Sequence, residues 1–63
     1  MSSRPFTVGD LVAWERDGRA VHGRVVAADA ERFGVRIDGM DTIEIFCQDT
    51  PAVILLEQSK RRR

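Results

Sequence analysis

Two Asp-Gly pairs, Asp17-Gly18 and Asp38-Gly39, cut this chain into short alternating apolar runs, and the first run opens with Phe6-Thr7-Val8-Gly9-Asp10-Leu11-Val12. A tight hairpin needs positive φ at its tip, which Gly adopts without steric cost and Asp tolerates. Period-2 alternation between such turns is the pattern of strands. It predicts strands over 11–16, 20–28, 33–37, 42–47 and 53–56, and no heptad or long amphipathic stretch competes with them. Asp49-Thr50-Pro51 reads as the start of a single helical turn before the last strand, with Asp49 placed to accept backbone N–H groups and proline near the first helical position.

With 63 residues, the chain makes one domain that hides only about 60% of its unfolded surface. Any pocket is therefore a surface groove or is shared between subunits. One Cys, Cys47, and one His, His22, supply neither an intrachain disulfide nor the ligand set of a zinc site. Domains below about 70 residues usually need such a staple, or copies of themselves, so oligomerisation is expected to contribute. No apolar h-region follows Met1-Ser2-Ser3-Arg4-Pro5, and no run approaches a bilayer-spanning length. The expected setting is soluble, reducing and cytoplasmic. Nine Arg against one Lys, with no Asn or Tyr, suits a GC-rich bacterial coding sequence.

Five short strands with one helical turn before the last give an all-β fold, an SH3-like five-stranded small barrel over 6–57, between a lead-in of residues 1–5 and a basic tail at 58–63. Closure into a barrel removes exposed edges. Alternation assigns Val12, Trp14, Val25, Val35, Ile37, Ile43, Ile45 and Leu55 to the inside, with Cys47 on the same side as Ile43 and Ile45. Gly23, in mid-strand, marks a bulge or a sharp bend. Leu11, Val26, Phe46, Ile54 and Leu56 are left outside, and Leu11, Phe46, Ile54 and Leu56 are the expected oligomer or partner surface.

The formal charge is zero, but Lys60, Arg61, Arg62 and Arg63 hold four of the ten cations, which leaves residues 1–59 with six Arg against ten Asp and Glu, a net −4. Such a body suits nucleic acid poorly, whereas the tail suits it. Within the body, Arg16, Arg19, Arg24 and Arg36 make a cationic set, and Arg24 and Arg36 are expected to share an outer face if their strands are neighbours. No Walker loop, dinucleotide fingerprint or triad spacing is present, and His22 reads as a surface residue.

Through Phe6-x-Val8-Gly9-Asp10-x-Val12, Gly23-x-Val25-Val26 and Gly34-Val35-x-Ile37, the chain resembles the KOW, Tudor and related SH3-like small barrels of transcription and translation factors. The resemblance implies binding to nucleic acid, to polymerase or ribosomal components, or to modified peptides. A second resemblance, through Gly9-Asp10-x-Val12, Ala20-x-x-Gly23-x-x-Val26 and Ile43-Glu44-Ile45-Phe46, is to the plasmid-encoded type II dihydrofolate reductases. It implies a tetramer whose shared pore holds folate and NADPH, lined here by Glu44, Ile45 and Phe46. The family's Val-Gln-Ile-Tyr motif is replaced by Ile43-Glu44-Ile45-Phe46, its phosphate-binding lysine falls at Trp14, and four copies of Glu44 in one pore would repel each other and an anionic cofactor.

Three functions follow as expectations. The first is a non-catalytic binding or adaptor module with no cofactor or metal, acting on a protein or ribonucleoprotein partner through Arg24, Arg36 and Lys60, Arg61, Arg62 and Arg63. The second is the oligomeric NADPH- and folate-binding reductase, and the third is a small structural subunit of a larger assembly.

Overall fold

A computed structural model of the protein describes residues 6–59; the expected lead-in at 1–5 and the Lys60–Arg63 segment lie outside them. Within this span the protein is all-β, with five antiparallel strands in one sheet: β1 (Leu11–Arg16), β2 (Arg19–Ala28), β3 (Arg32–Ile37), β4 (Ile43–Cys47) and β5 (Ile54–Glu57). The spatial order is β4-β3-β2-β1-β5. β1 therefore pairs with both β2 and β5, and the edges formed by β4 and β5 are not hydrogen-bonded to each other.

The turns follow from their residues. Asp17 and Gly18 both take positive φ, 53° and 79°, the backbone of a two-residue hairpin whose twist matches the flanking strands. Asp29 closes the β2–β3 hairpin with its own side chain: Oδ1 accepts the N–H groups of Glu31 at 2.8 Å and Arg32 at 3.0 Å. Those two donors hold the Asp29 carboxyl below the ordinary carboxylate range.

The Gly-Asp opening ties both ends of the described chain to the sheet. Gly9 takes φ 99°, its N–H donates to the Val25 carbonyl, and the Asp10 carbonyl accepts from the Val25 N–H, both at 2.9 Å. The Asp10 carboxylate is buried and accepts from the N–H of Thr7 at 3.0 Å, the Thr7 hydroxyl at 3.3 Å and the N–H of Ser59 at 2.7 Å. A buried carboxylate is tolerated where its lone pairs are filled in this way.

The core is Val12, Trp14, Val25, Phe33, Val35, Ile37 and Val53, with Phe6, Val21 and Phe46 packed against it. The rings form a chain: Phe6 stacks on Phe33 at 4.4 Å between centroids, Phe33 lies tilted against Phe46 at 5.6 Å, and Phe46 meets the Trp14 indole edge-on at 5.3 Å. Aromatic pairs of this geometry add about 0.5–1.5 kcal/mol each beyond the area they bury.

Several expectations need correction. Ile43, Ile45 and Cys47 face outward and are exposed, while Glu44 and Phe46 take the inner side of β4. The reason lies across the ladder at Gly34, which pairs with Ile45 and has no side chain of its own. A Cβ there would stand 3.2 Å from Ile45 Cδ1 and 3.4 Å from Ile43 Cγ2, so the two isoleucines occupy the space above the glycine. Phe46 instead completes the ring chain inside. Leu55 is paired with Val12 on the core side but sits at the open edge and stays 39% exposed. No helical turn forms over 49–52: the Thr50 hydroxyl, not the Asp49 carboxylate, takes the backbone donor, accepting the Ala52 N–H at 3.1 Å. Such local side-chain acceptors compete with helical bonding. Gly23 pairs regularly with Ile37, and the β2 irregularity lies between Val25 and Ala27. Glycine is required at 23 for a different reason: a Cβ would strike the Arg36 carbonyl oxygen and come within 2.8 Å of Val35 Cγ1.

Candidate binding groove on the outer sheet face

Pairing register decides which charged residues meet. Arg24 on β2 lies directly opposite Arg36 on β3 and, on its other side, opposite Leu11 on β1. Because residues opposite one another share a face, Leu11, Arg24 and Arg36 form one row across the outer surface. His22, two residues along β2 from Arg24, lies on the same face opposite Ala13. A groove of about 740 Å³ runs over this row, lined among others by Val8, Leu11, His22, Arg24, Val26 and Arg36. Val8 and Val26 are 52% and 42% exposed, so the groove joins apolar walls to two guanidinium groups.

The two arginines are held differently. Arg24 Nη1 donates to the Gly9 carbonyl oxygen at 3.0 Å and makes no ion pair among the described residues. Arg36 Nε donates to the Met40 carbonyl oxygen at 3.2 Å, and its Nη2 lies 3.5 Å from the fully exposed Asp41 carboxylate. Like charges placed directly opposite destabilise a strand pair, and exposed ion pairs return little. An anion seated between the guanidinium groups would remove the repulsion and engage the planar forks bidentately.

On the same face, His22 Nε2 lies 3.3 Å from Asp38 Oδ2, both side chains well exposed. Glu44 is two strands away from His22 on the opposite side of the sheet, where it pairs with Arg16 Nε at 3.2 Å. No group of three or more His, Cys, Asp or Glu among the described residues is placed to hold a metal ion.

Of the remaining site residues, Glu44 and Phe46 share the inner side of β4 and Ile45 the outer, so the three do not line one surface. Leu11 is half-buried beside Arg24, Phe46 is packed on the core, and Ile54 and Leu56 are exposed on the β5 edge. Lys60, Arg61, Arg62 and Arg63 lie outside the described residues.

Gln48 went unmarked by any sequence pattern. Its Oε1 accepts the Phe6 N–H at 2.6 Å, its Nε2 donates to the carbonyls of Phe6 at 3.0 Å and Asp29 at 2.9 Å, and its own N–H donates to the Glu31 carbonyl at 2.9 Å. It clamps the entry segment and the β2–β3 hairpin to the end of β4. Only a spacing of 42 residues to Phe6 connects the pair in sequence, and neither periodicity nor turn chemistry signals that distance.

No family model matches this chain, and neither a curated protein nor a solved structure matches it at a significant level.

Proposed function

We propose that the protein is a non-catalytic binding module of the SH3-like small-barrel type, acting as an adaptor that takes an acidic segment of a protein or ribonucleoprotein partner into the groove over β2 and β3. The observation that carries the reading is the cross-strand pair Arg24 and Arg36, two cations opposite one another in the β2–β3 ladder that both line a groove with Val8, Leu11 and Val26. The strand order, with β1 shared between β2 and β5, supports the small-barrel frame.

Charge favours a protein segment over bare nucleic acid. Residues 6–59 contain five Arg and ten Asp and Glu, 5 − 10 = −5, and such a surface repels a polyanion that binds through many phosphates. Two guanidinium groups suffice for one or two carboxylates flanked by apolar side chains. In this reading, Lys60, Arg61, Arg62 and Arg63 extend the cationic contact.

Fluorescence anisotropy with a labelled peptide of alternating Glu and Leu, compared with single-stranded RNA, tests the proposal. Binding of the peptide should weaken about tenfold or more in each of Arg24→Ala and Arg36→Ala, as expected when a charge-assisted hydrogen bond is lost. Equal affinity of both variants and the wild type for every such ligand would sink it.

A further inference from the structure

We propose that the outer face of β3 reads a spaced motif in an extended peptide segment: an acidic residue, an apolar residue two positions on, and a second acidic residue two positions beyond that. The inference rests on the reading of the groove over β2 and β3 as a binding site, and it fixes the order of ligand side chains, which that reading leaves open. Three of the five Arg in residues 6–59, Arg24, Arg32 and Arg36, lie exposed on the outer side of β2 and β3. Arg32, Gly34 and Arg36 alternate with the buried Phe33 and Val35, so the outer stripe of β3 runs cation, glycine, cation. Four residues of strand advance about 13 Å. An extended ligand laid along the stripe repeats that spacing and turns every second side chain toward the sheet.

The neighbouring strands supply the apolar part. Ile45 stands opposite Gly34 and Ile43 opposite Arg36, with Ala27 of β2 on the other side of the glycine. Because Gly34 has no Cβ, the two isoleucines lie over it, yet they remain 52% and 62% exposed at 43 and 45. A second pocket of about 240 Å³ opens beside them, lined by Ala27, Ala28, Arg32, Gly34 and Ile45 among others. It is smaller than the about 300–1,000 Å³ of small-molecule sites and suits a single aliphatic side chain. The larger groove includes Val26 and this pocket Ala27, so the two follow one another along β2.

Both ends of the stripe are open to a carboxylate. Arg32 makes no ion pair among the described residues, and the nearby Asp29 carboxylate takes the backbone N–H groups of Glu31 and Arg32 instead. Arg36 is backed by Arg24, and its 3.5 Å pair with the fully exposed Asp41 is of the kind that contributes little. Charge complementarity therefore selects two separated carboxylates. A continuous phosphate chain fits worse, because Asp38 lines the larger groove and Asp29 the smaller pocket.

Fluorescence anisotropy with labelled peptides built on Glu-Ser-Leu-Ser-Glu and on the permuted Glu-Glu-Ser-Ser-Leu tests the motif, with circular dichroism to verify that each variant is folded. The spaced peptide should bind about tenfold more tightly or better. Arg32→Ala and Ile45→Ser, both at exposed positions, should each remove most of that preference. Arg19→Ala deletes the same charge beside Arg16 on the other side of the sheet and should leave the preference intact. If Arg24→Ala and Arg36→Ala weaken both peptides while the two bind equally, the groove reading stands and the spaced motif is overturned. An effect of Arg19→Ala equal to that of Arg32→Ala would overturn it as well, by showing that total charge and not position decides. Tighter binding of single-stranded RNA, or a sedimentation coefficient that rises with protein concentration and is reset by Ile45→Ser, would assign the face to nucleic acid or to a second copy and overturn the motif. No binding of either peptide would overturn it together with the groove reading.

Discussion

Replacing Gln48 with Ala removes three side-chain hydrogen bonds at once: Phe6 N–H to Oε1, and Nε2 to the carbonyls of Phe6 and Asp29. A protein hydrogen bond is worth about 0.5–1.5 kcal/mol net. The site is only partly buried, so the orphaned backbone groups of Phe6 and Asp29 recover some hydration, and the lower part of that range applies, about 2 kcal/mol for the three. The clamp also fixes the segment that presents Phe6 to Phe33 at 4.4 Å, a stack worth about a further 0.5–1 kcal/mol. The expected loss is therefore about 2–3 kcal/mol, from a total that is of order 3–9 kcal/mol for a domain of this size. At roughly 4–8 °C per kcal/mol for small domains, thermal unfolding followed by far-UV circular dichroism should show Tm lowered by about 10–20 °C. Gln48→Glu should be no better, because a carboxylate keeps the acceptor for Phe6 N–H but sets charge against two carbonyl oxygens. Gln48→Ala unfolding within about 0.5 kcal/mol of the wild type, the range of neutral surface changes, would refute the clamp.

Gly23→Ala should destabilise by about 2 kcal/mol or more in urea unfolding, since the added methyl meets the Arg36 carbonyl and Val35 in a packed position; a neutral result would mean that β2 and β3 separate freely there. Arg16→Ala, which breaks the half-exposed bridge to Glu44, should cost at most about 1 kcal/mol, and a larger loss would show that the bridge braces the fold. For Asp29, the folded carboxyl titrates below its ordinary value of 3.8. Its contribution is therefore present above the unfolded pKa and is lost as pH falls through the folded one. The urea midpoint of the wild type should fall relative to Asp29→Ala as pH drops below the ordinary carboxylate range, and parallel curves would contradict that assignment.

The strand boundaries were readable because turn chemistry and alternation are local. Asp17-Gly18 needs only its own φ values to make a hairpin, and Leu11–Arg16 emerges as expected while β2 starts one residue before the reading, at Arg19. Facing was less readable, because alternation separates two sides of a strand without saying which is covered. In β4 the more apolar side, Ile43 and Ile45, lies outside over Gly34, and the side with Glu44 and Phe46 lies inside because Trp14 and Phe33 await a third ring. The cross-strand meeting of Arg24 and Arg36 was open to inference once β2 and β3 were taken as neighbours. The Gln48 clamp, the Thr50 acceptor and the Asp10 contact to Ser59 were not, because each joins a side chain to backbone atoms that only the folded path brings near.

The outer face of β2 and β3 is the surface proposed to meet a partner. Two-dimensional ¹⁵N–¹H NMR of the labelled protein, titrated with the alternating Glu and Leu peptide, reads that surface residue by residue. The predicted result is a contiguous set of shifting amides around Leu11, Arg24, Val26 and Arg36, erased when Arg24 and Arg36 are both changed to Ala. Shifts centred instead on the inner residues of β4, or none at all at saturating peptide, would contradict it.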